Sequence, residues 1–185
     1  MTELITPRLR LRKFKPDDFG FVHSYASCRD NIKYMVWNPN TEEDTKNFIA
    51  YAIKSAESAP VSAYEFIAEI KKTRVPVGAC DIVLSADSDE AEVGWTLHRD
   101  FWRLGYGTEM GQALLSFGFD TLSLHRIIAH CDSENIASYS VMERIGMRRE
   151  GLFIEARPPY KGSPRKYSDE YSYAILKREW EAQRK

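Results

Sequence analysis

Glu92-Val93-Gly94-Trp95-Thr96-Leu97-His98-Arg99-Asp100-Phe101-Trp102-Arg103-Leu104-Gly105-Tyr106-Gly107-Thr108-Glu109 reads as a strand that runs into a glycine loop and then into a helix. The strand reading covers Glu90 to Leu97, and the helix carries Met110, Ala113, Leu114 and Phe117 on one stripe. Gly105 and Gly107 let successive backbone N–H groups turn toward one point without a side chain in the way. The helix that follows adds its positive end. The segment is therefore a cradle for a pyrophosphate or, on the plainer reading, a helix opened by glycines for packing. It lacks the GxxxxGK[ST] form of a P-loop, and it lacks the third glycine of a dinucleotide fingerprint. It also comes too late in the chain to be the first turn of a Rossmann domain.

Working outward, Arg126 to Cys131 reads as a short strand and Asn135 to Ile145 as a helix. That helix has Ala137, Val141 and Ile145 on its apolar face and Gly146 as its stop. Strands over Arg148 to Glu155 and Glu170 to Leu176 bracket a proline-containing loop. Upstream, Leu9, Leu11 and Phe14 alternate with Arg8, Arg10, Arg12 and Lys13 as a first strand. Pro16-Asp17-Asp18 opens a helix whose stripe is Phe19, Val22, Tyr25 and Ala26. Thr41 is the N-cap of a second helix, with Glu42, Glu43 and Asp44 in its first turn and Phe48, Ile49, Ala52, Ile53 and Ala56 on its buried side. Ala63 to Ile70 and Val75 to Leu84 are strands, the second with Gly78 as a bulge, and Asp87-Ser88-Asp89 is the turn into the next strand. The order predicts one domain over residues 1–185: a mixed, mostly antiparallel α/β sandwich rather than a doubly wound fold.

The segment from Glu92 to Glu109 resembles the acetyl-CoA-binding core of the GNAT N-acetyltransferases and is most similar to the RimJ/RimL-type branch. Many members have Gln or Arg three positions before the first glycine; Trp102 stands there, as in that branch. Asn135-Ile136-Ala137-Ser138 with Glu143-Arg144-Ile145-Gly146-Met147 resembles the family's second CoA-side helix. Glu150-Gly151 and Asp169 through Trp180 resemble the tail of the branch, and the likeness starts at Thr6-Pro7-Arg8-Leu9. It implies a GNAT fold: a twisted sheet of about seven strands, helices on both faces, and a splay between two parallel central strands.

The resemblance also implies the site. Pyrophosphate would rest on backbone amides of Arg103, Leu104, Gly105, Tyr106, Gly107 and Thr108, with Arg99, Arg103 or Arg144 in reach of its oxygens. Pantetheine would pair with the parted strands at Trp95-Thr96-Leu97 and Ile128-Ala129-His130. An N–H near Thr96 or Leu97 would donate to the thioester oxygen. A side chain at Gly105 or Gly107 would then meet the pyrophosphate with the fold intact. Glu92 is the candidate base, directly or through water; its plainer reading is an outward-facing strand residue. Many members protonate the leaving thiolate with a tyrosine seven positions after the helix-opening asparagine, where this chain has Met142. The branch's serine maps to Ser138, which could equally bond back to its own helix. Asn135 caps the helix, contacts pantetheine, or both. An acyl-Cys131 route is conceivable, but direct transfer in a ternary complex is the expectation.

Composition limits the alternatives. The 185 residues are 43% hydrophobic and 29% charged, with a net charge of −1, so no global field draws the chain to nucleic acid or to an anionic membrane. Three separated cysteines and four histidines lack disulfide or metal spacing, and the expected compartment is cytoplasmic, without a leader or membrane span. The expected acceptor is a protein N-terminal α-amine. Its α-amino pKa of about 7.7–8.0 leaves more neutral amine than a lysine at about 10.4. A small amine (polyamine, amino acid or antibiotic) is the alternative, and a CoA-binding module without turnover is the alternative of another class. Tyr34, Met35, Trp37 and Asn38 are pocket candidates, and Arg157, Lys161, Arg165 and Lys166 form a basic loop. A monomer or homodimer fits equally well.

Overall fold

The computed structural model describes residues 3–56, 60–86, 89–160 and 162–184. Its elements are β1 Leu4–Ile5, β2 Leu9–Arg12, α1 Phe19–Ala26, α2 Glu42–Ser55, β3 Ala63–Ile70, β4 Pro76–Leu84, β5 Glu90–Leu97, α3 Tyr106–Ser116, β6 Arg126–Asp132, α4 Ile136–Arg144, β7 Arg148–Arg157, β8 Ser168–Leu176 and α5 Lys177–Gln183. A 3-10 turn at Pro16–Asp18 leads into α1, another at Arg99–Phe101 follows β5, and a π turn at Phe117–Thr121 extends α3. Thr41 caps α2 in a reciprocal box: its hydroxyl accepts from the Asp44 N–H, and Asp44 Oδ2 accepts from the Thr41 N–H. Of the predicted turn at Asp87-Ser88-Asp89, residues 87 and 88 lie outside the described residues, as does Lys161.

The eight strands form one sheet in the order β1-β2-β3-β4-β5-β6-β8-β7, antiparallel throughout except for β5 beside β6. The strand beyond the seven expected is β1, two residues paired to β2. One face packs on Met110, Leu114 and Leu115 of α3, Val141, Met142 and Ile145 of α4 and Trp180 of α5. The other packs on Val22 and Tyr25 of α1 and Ile49 and Ala52 of α2, which rest on Ile67 and Ala79. Helix α5, absent from the sequence reading, is a seven-residue segment held by its one buried residue, Trp180.

Three expectations change. Arg12 is not an outward-facing strand residue: it is buried, with Asp18 accepting from Nη1 and Nη2 and Glu69 from Nε. The bulge in β4 is at Val77, unopposed where the register shifts, while Gly78 is there because a Cβ would lie 2.3 Å from the Thr96 carbonyl oxygen. Ala137 is exposed, because α4 turns Val141, Met142 and Ile145 inward.

Glu109, in the first turn of α3, is the link between the chain's start and the glycine loop. Its Oε1 accepts from Thr6 Oγ1 at 2.5 Å and the Arg8 N–H at 2.7 Å, and its Oε2 accepts from Arg8 Nε at 2.6 Å. Arg8 also donates to the Leu104 carbonyl at 2.8 Å and lies 4.6 Å from the centre of the Tyr106 ring. Burial alone would raise the Glu109 pKa, but the Thr6 and Arg8 hydrogen bonds outweigh it and hold the carboxyl below its usual range. A depressed folded-state pKa adds stability above the ordinary carboxylate pKa, and that stability is lost as pH falls through the folded value. Glu109→Gln should therefore lower stability near neutrality by about 1–2 kcal/mol. The gap should close toward about pH 3 in denaturant titrations; an equal gap at both pH values would contradict the role given to the charge.

Candidate active site

The site is built where β5 and β6 part. They pair in parallel at Glu90↔Arg126, Ala91↔Ile127 and Glu92↔Ile128, and the ladder stops there. β5 continues to Leu97 along β4, while β6 continues to Asp132 along β8. The opening therefore lies between Val93–Leu97 and residues 129–132, with Ile128 as the last paired residue rather than the first free one. The His98 N–H donates to the Val77 carbonyl. Strand alternation then turns the Thr96 peptide groups toward β4 and those of Trp95 and Leu97 toward the opening. Of the two donors considered for the thioester oxygen, Leu97 faces the gap.

The end of β5 is clamped from both sides. While the His98 N–H binds Val77, the Leu97 carbonyl accepts from Asn31 Nδ2 at 3.0 Å and from Trp102 Nε1 at 2.9 Å. Asn31 is buried, and its Oδ1 accepts from the Arg99 N–H at 2.9 Å. No local pattern marks this role of Asn31, because a polar residue after a helix is ordinary loop composition.

Past the clamp, Arg103 (φ 62°) and Gly105 (φ 81°) are both left-handed, a conformation that bends consecutive N–H groups into a concave nest. Gly105 is the N-cap of α3, whose first-turn amides at Tyr106, Gly107 and Thr108 have no acceptor within the helix. The nest and the wedge fit a diphosphate joined to an extended chain. The two glycines differ. A Cβ on Gly105 would approach only Arg8 Nη2, at 3.2 Å, whereas a Cβ on Gly107 would meet Val141 Cγ2 at 3.3 Å and Leu97 Cδ1 at 3.4 Å. Gly107 is thus a packing residue between α3, α4 and β5, and a side chain there points into the core. Arg103 and Arg144 are exposed, and Arg99 makes a long contact with Asp30.

On the opposite lip, Asn135 caps α4 by accepting from the Ser138 N–H at 3.2 Å. The Ser138 side chain lies near Cys131, on the freed part of β6. Burial pushes the Cys131 thiol up to about 11, opposed in part by Arg157 and Ser138. Little thiolate forms near neutrality, which argues against an acyl-cysteine route. Met142, where the resemblance would place a tyrosine, is 1% exposed and a core residue.

Glu92 sits at the apex of the wedge with Oε1 3.1 Å from His130 Nδ1, and this hydrogen bond raises the His130 pKa against its burial. Two acids that sequence reasoning missed lie beside it. Glu65 and Asp81 are direct cross-strand partners, and Asp81 is opposite Gly94. Both are half-buried, and neither has a hydrogen bond or ion pair among the described residues. Burial, then the neighbouring Asp81, pushes Glu65 up to about 8; burial, then Glu92, pushes Asp81 up to about 6. Period-two alternation placed Glu65 on the sheet, but the pairing that puts it against Asp81 is long-range.

The basic loop is largely engaged within the protein. Arg157 donates to Glu170 Oε2 at 2.6 Å, and Arg165 donates to Asp132 Oδ2 at 2.8 Å and Glu134 Oε2 at 2.9 Å. Tyr34 and Met35 line a small surface concavity with these arginines and the exposed Lys166, while Trp37 and Asn38 are exposed outside it. Among the described residues, no helix is long and apolar enough to cross a membrane, and no group of three or more His, Cys, Asp or Glu side chains could hold a metal ion.

Comparison with known proteins adds three likenesses and a family. The family described as acetyltransferase (GNAT) domain matches residues 8–148. An uncharacterised N-acetyltransferase of Bacillus subtilis (strain 168), YnaD, is 37% identical over 177 residues, 96% of this chain and 98% of its own length. The crystal structure of a GNAT-family acetyltransferase from Bacillus anthracis superposes with a TM-score of 0.84 at 36% identity, covering 96% of this chain and 99% of that one. A proposed ribosomal-protein-serine acetyltransferase from Vibrio cholerae has a TM-score of 0.78 at 25% identity, covering 95% and 97%.

The two glycines should fail differently. Gly105→Ala forces a side chain into the left-handed region, a strain of about 1–2 kcal/mol, and should reduce the stabilisation conferred by acetyl-CoA. Gly107→Val should lower the melting temperature of the ligand-free protein through overpacking, about 1–3 kcal/mol. Thermal melts with and without acetyl-CoA separate the two, and a ligand-free loss confined to Gly105→Ala would reverse the assignment.

Proposed function

Because this chain belongs to the acetyltransferase (GNAT) family and is an acetyl-CoA-dependent N-acetyltransferase, we propose that it transfers the acetyl group directly to a primary amine held with the donor in one ternary complex. The observation that carries this reading is the wedge: a parallel ladder that stops at Glu92↔Ile128 with a left-handed amide nest beyond its open end. Backbone amides from Arg103 to Thr108 hold the diphosphate, and pantetheine lies in the opening along the freed edge of β5. Acetyl-CoA supplies the thioester carbon that the amine attacks. The Leu97 N–H, fixed by the clamp on its neighbouring peptide, donates to the thioester oxygen where negative charge builds. Glu92, hydrogen-bonded to His130, takes the proton from the amine. Ser138 donates a proton or hydrogen bond to the departing sulfur.

The acceptor is a protein N-terminal α-amine or a small amine in the cytoplasm. The first is supported by the α-amino pKa of about 7.7–8.0 and by the description of the Vibrio cholerae relative as a proposed ribosomal-protein-serine acetyltransferase.

A thiol-release assay with acetyl-CoA, α-amino peptides and small amines tests the reading. Ser138→Ala should lower kcat by about a hundredfold, the low end of acid–base contributions, while leaving acetyl-CoA affinity by calorimetry within about twofold. Equal loss of both would make the hydroxyl a cofactor contact, and thiol release absent with every amine would remove the transferase reading in favour of a binding module.

A further inference from the structure

We propose that the acceptor carries a second cationic group, held by Glu65, Asp81 and the Tyr25 hydroxyl one to two strands away from the reacting amine. This rests on the direct-transfer reading and names the class of acceptor. Glu65, Asp81 and Gly94 stand on one lateral row across β3, β4 and β5. Adjacent strands are about 4.8 Å apart, so Asp81 is one step and Glu65 two steps from Gly94 on the freed part of β5. Gly94 leaves room for the Asp81 carboxylate to lean over β5, since a Cβ there would lie 2.8 Å from Asp81 Oδ1. The carboxylate is thereby brought toward the opening rather than folded back on its own strand.

Two carboxylates directly opposed on a sheet, half-buried and without a protein partner, destabilise the fold that holds them. The groups that face them add to the strain. Tyr25 and, behind it, Asp18 come from the α1 side and Glu92 from β5, while Cys80, next in β4, faces the other side of the sheet; His130 on β6 is engaged by Glu92. Elsewhere in this chain buried acids are matched with arginine.

Tyr25 supplies the independent observation. It is 4% exposed, yet its hydroxyl has no hydrogen-bond partner among the described residues. Its ring packs with Ile67 and Ala79, the same-face neighbours of Glu65 and Asp81 along β3 and β4, and burial followed by the Glu65 charge raises its pKa. A phenol on a 4%-exposed side chain, with its oxygen reachable and free of a protein partner, beside two unpaired carboxyls is a hydrogen-bonding set for an ammonium or guanidinium group.

The source of that group is either a free diamine or an N-terminal segment with a basic side chain, and two matched pairs of acceptors distinguish them. Putrescine is compared with butylamine, and Ser-Lys-Ala amide with Ser-Ala-Ala amide. Calorimetry in the presence of CoA and thiol release with acetyl-CoA are measured for wild type, Asp81→Asn and Glu65→Gln. In at least one pair the dication should be preferred by about tenfold or more, the range of a charged hydrogen bond. That preference should fall toward unity in Asp81→Asn, through KM rather than kcat. The melting temperatures of both variants should match or exceed wild type, because Asp81→Asn removes an unpaired charge and Glu65→Gln an unpaired, half-buried acid; a purely structural role predicts the reverse. Equal use of both members of each pair, or a preference that survives both substitutions, overturns the inference and leaves the transferase reading standing. Asp81-dependent binding of the dication without thiol release upholds the inference and removes the reading it rests on.

Discussion

The structure depends on a sheet that stops being a sheet at one point. Backbone N–H and C=O groups removed from a ladder must be satisfied elsewhere, so parting β5 from β6 after Glu92↔Ile128 is stable only if both strands are held by other means. β6 is held by its pairing with β8 through Asp132↔Glu170. β5 is held by β4 as far as Gly78↔Leu97, and then by the two donors on the Leu97 carbonyl. The peptide groups of Trp95 and the Leu97 N–H, which face the opening, are what remains for a ligand to satisfy. An extended amide-bearing chain answers that need as another strand would.

The same constraint explains why residues far apart in the chain converge near the nest. Left-handed backbone at Arg103 and Gly105 is strained or entropically costly on its own. Arg8 holds the Leu104 carbonyl and covers the Tyr106 ring, and Glu109 ties Arg8 and Thr6 to the first turn of α3. The N-terminal strand is therefore a brace for the anion cradle. Its pairing with β3 and its attachment to α3 are two parts of one support.

What was legible in the sequence was local. The Glu90–Leu97 strand, the N-cap at Thr41, the glycine-opened helix and the stop at Gly146 follow from periodicity and from residues with special backbone preferences, and they stand in the structure close to where they were expected. The wedge between two named strands came from family resemblance, because no pattern within β5 or β6 says where a ladder ends. What could not be read was pairing across distance. Arg12 follows the alternation of an outward residue, and only the approach of Asp18 and Glu69 makes it a buried ion-pair centre. Gly107 has the local signature of a phosphate-loop glycine, yet Val141 and Leu97 decide what a side chain there would touch. Asn31, Glu65 and Asp81 are ordinary polar residues until the sheet sets them beside the site.

The treatment of acids within this one chain separates support from function. Glu69, Glu109 and Asp132 are buried and tied to arginines, and each carboxyl is held below its usual pKa because hydrogen bonds outweigh burial. Glu65 and Asp81 are half-buried without such partners, and burial raises both. A fold able to pair its acids in three places has the means to do so in a fourth. Replacing one of the two by a neutral residue would relieve the repulsion at no loss of contacts. An electrostatic strain that the structure could remove so simply, next to the opening where the amine must enter, is better explained by a cation that arrives with the acceptor than by the requirements of folding.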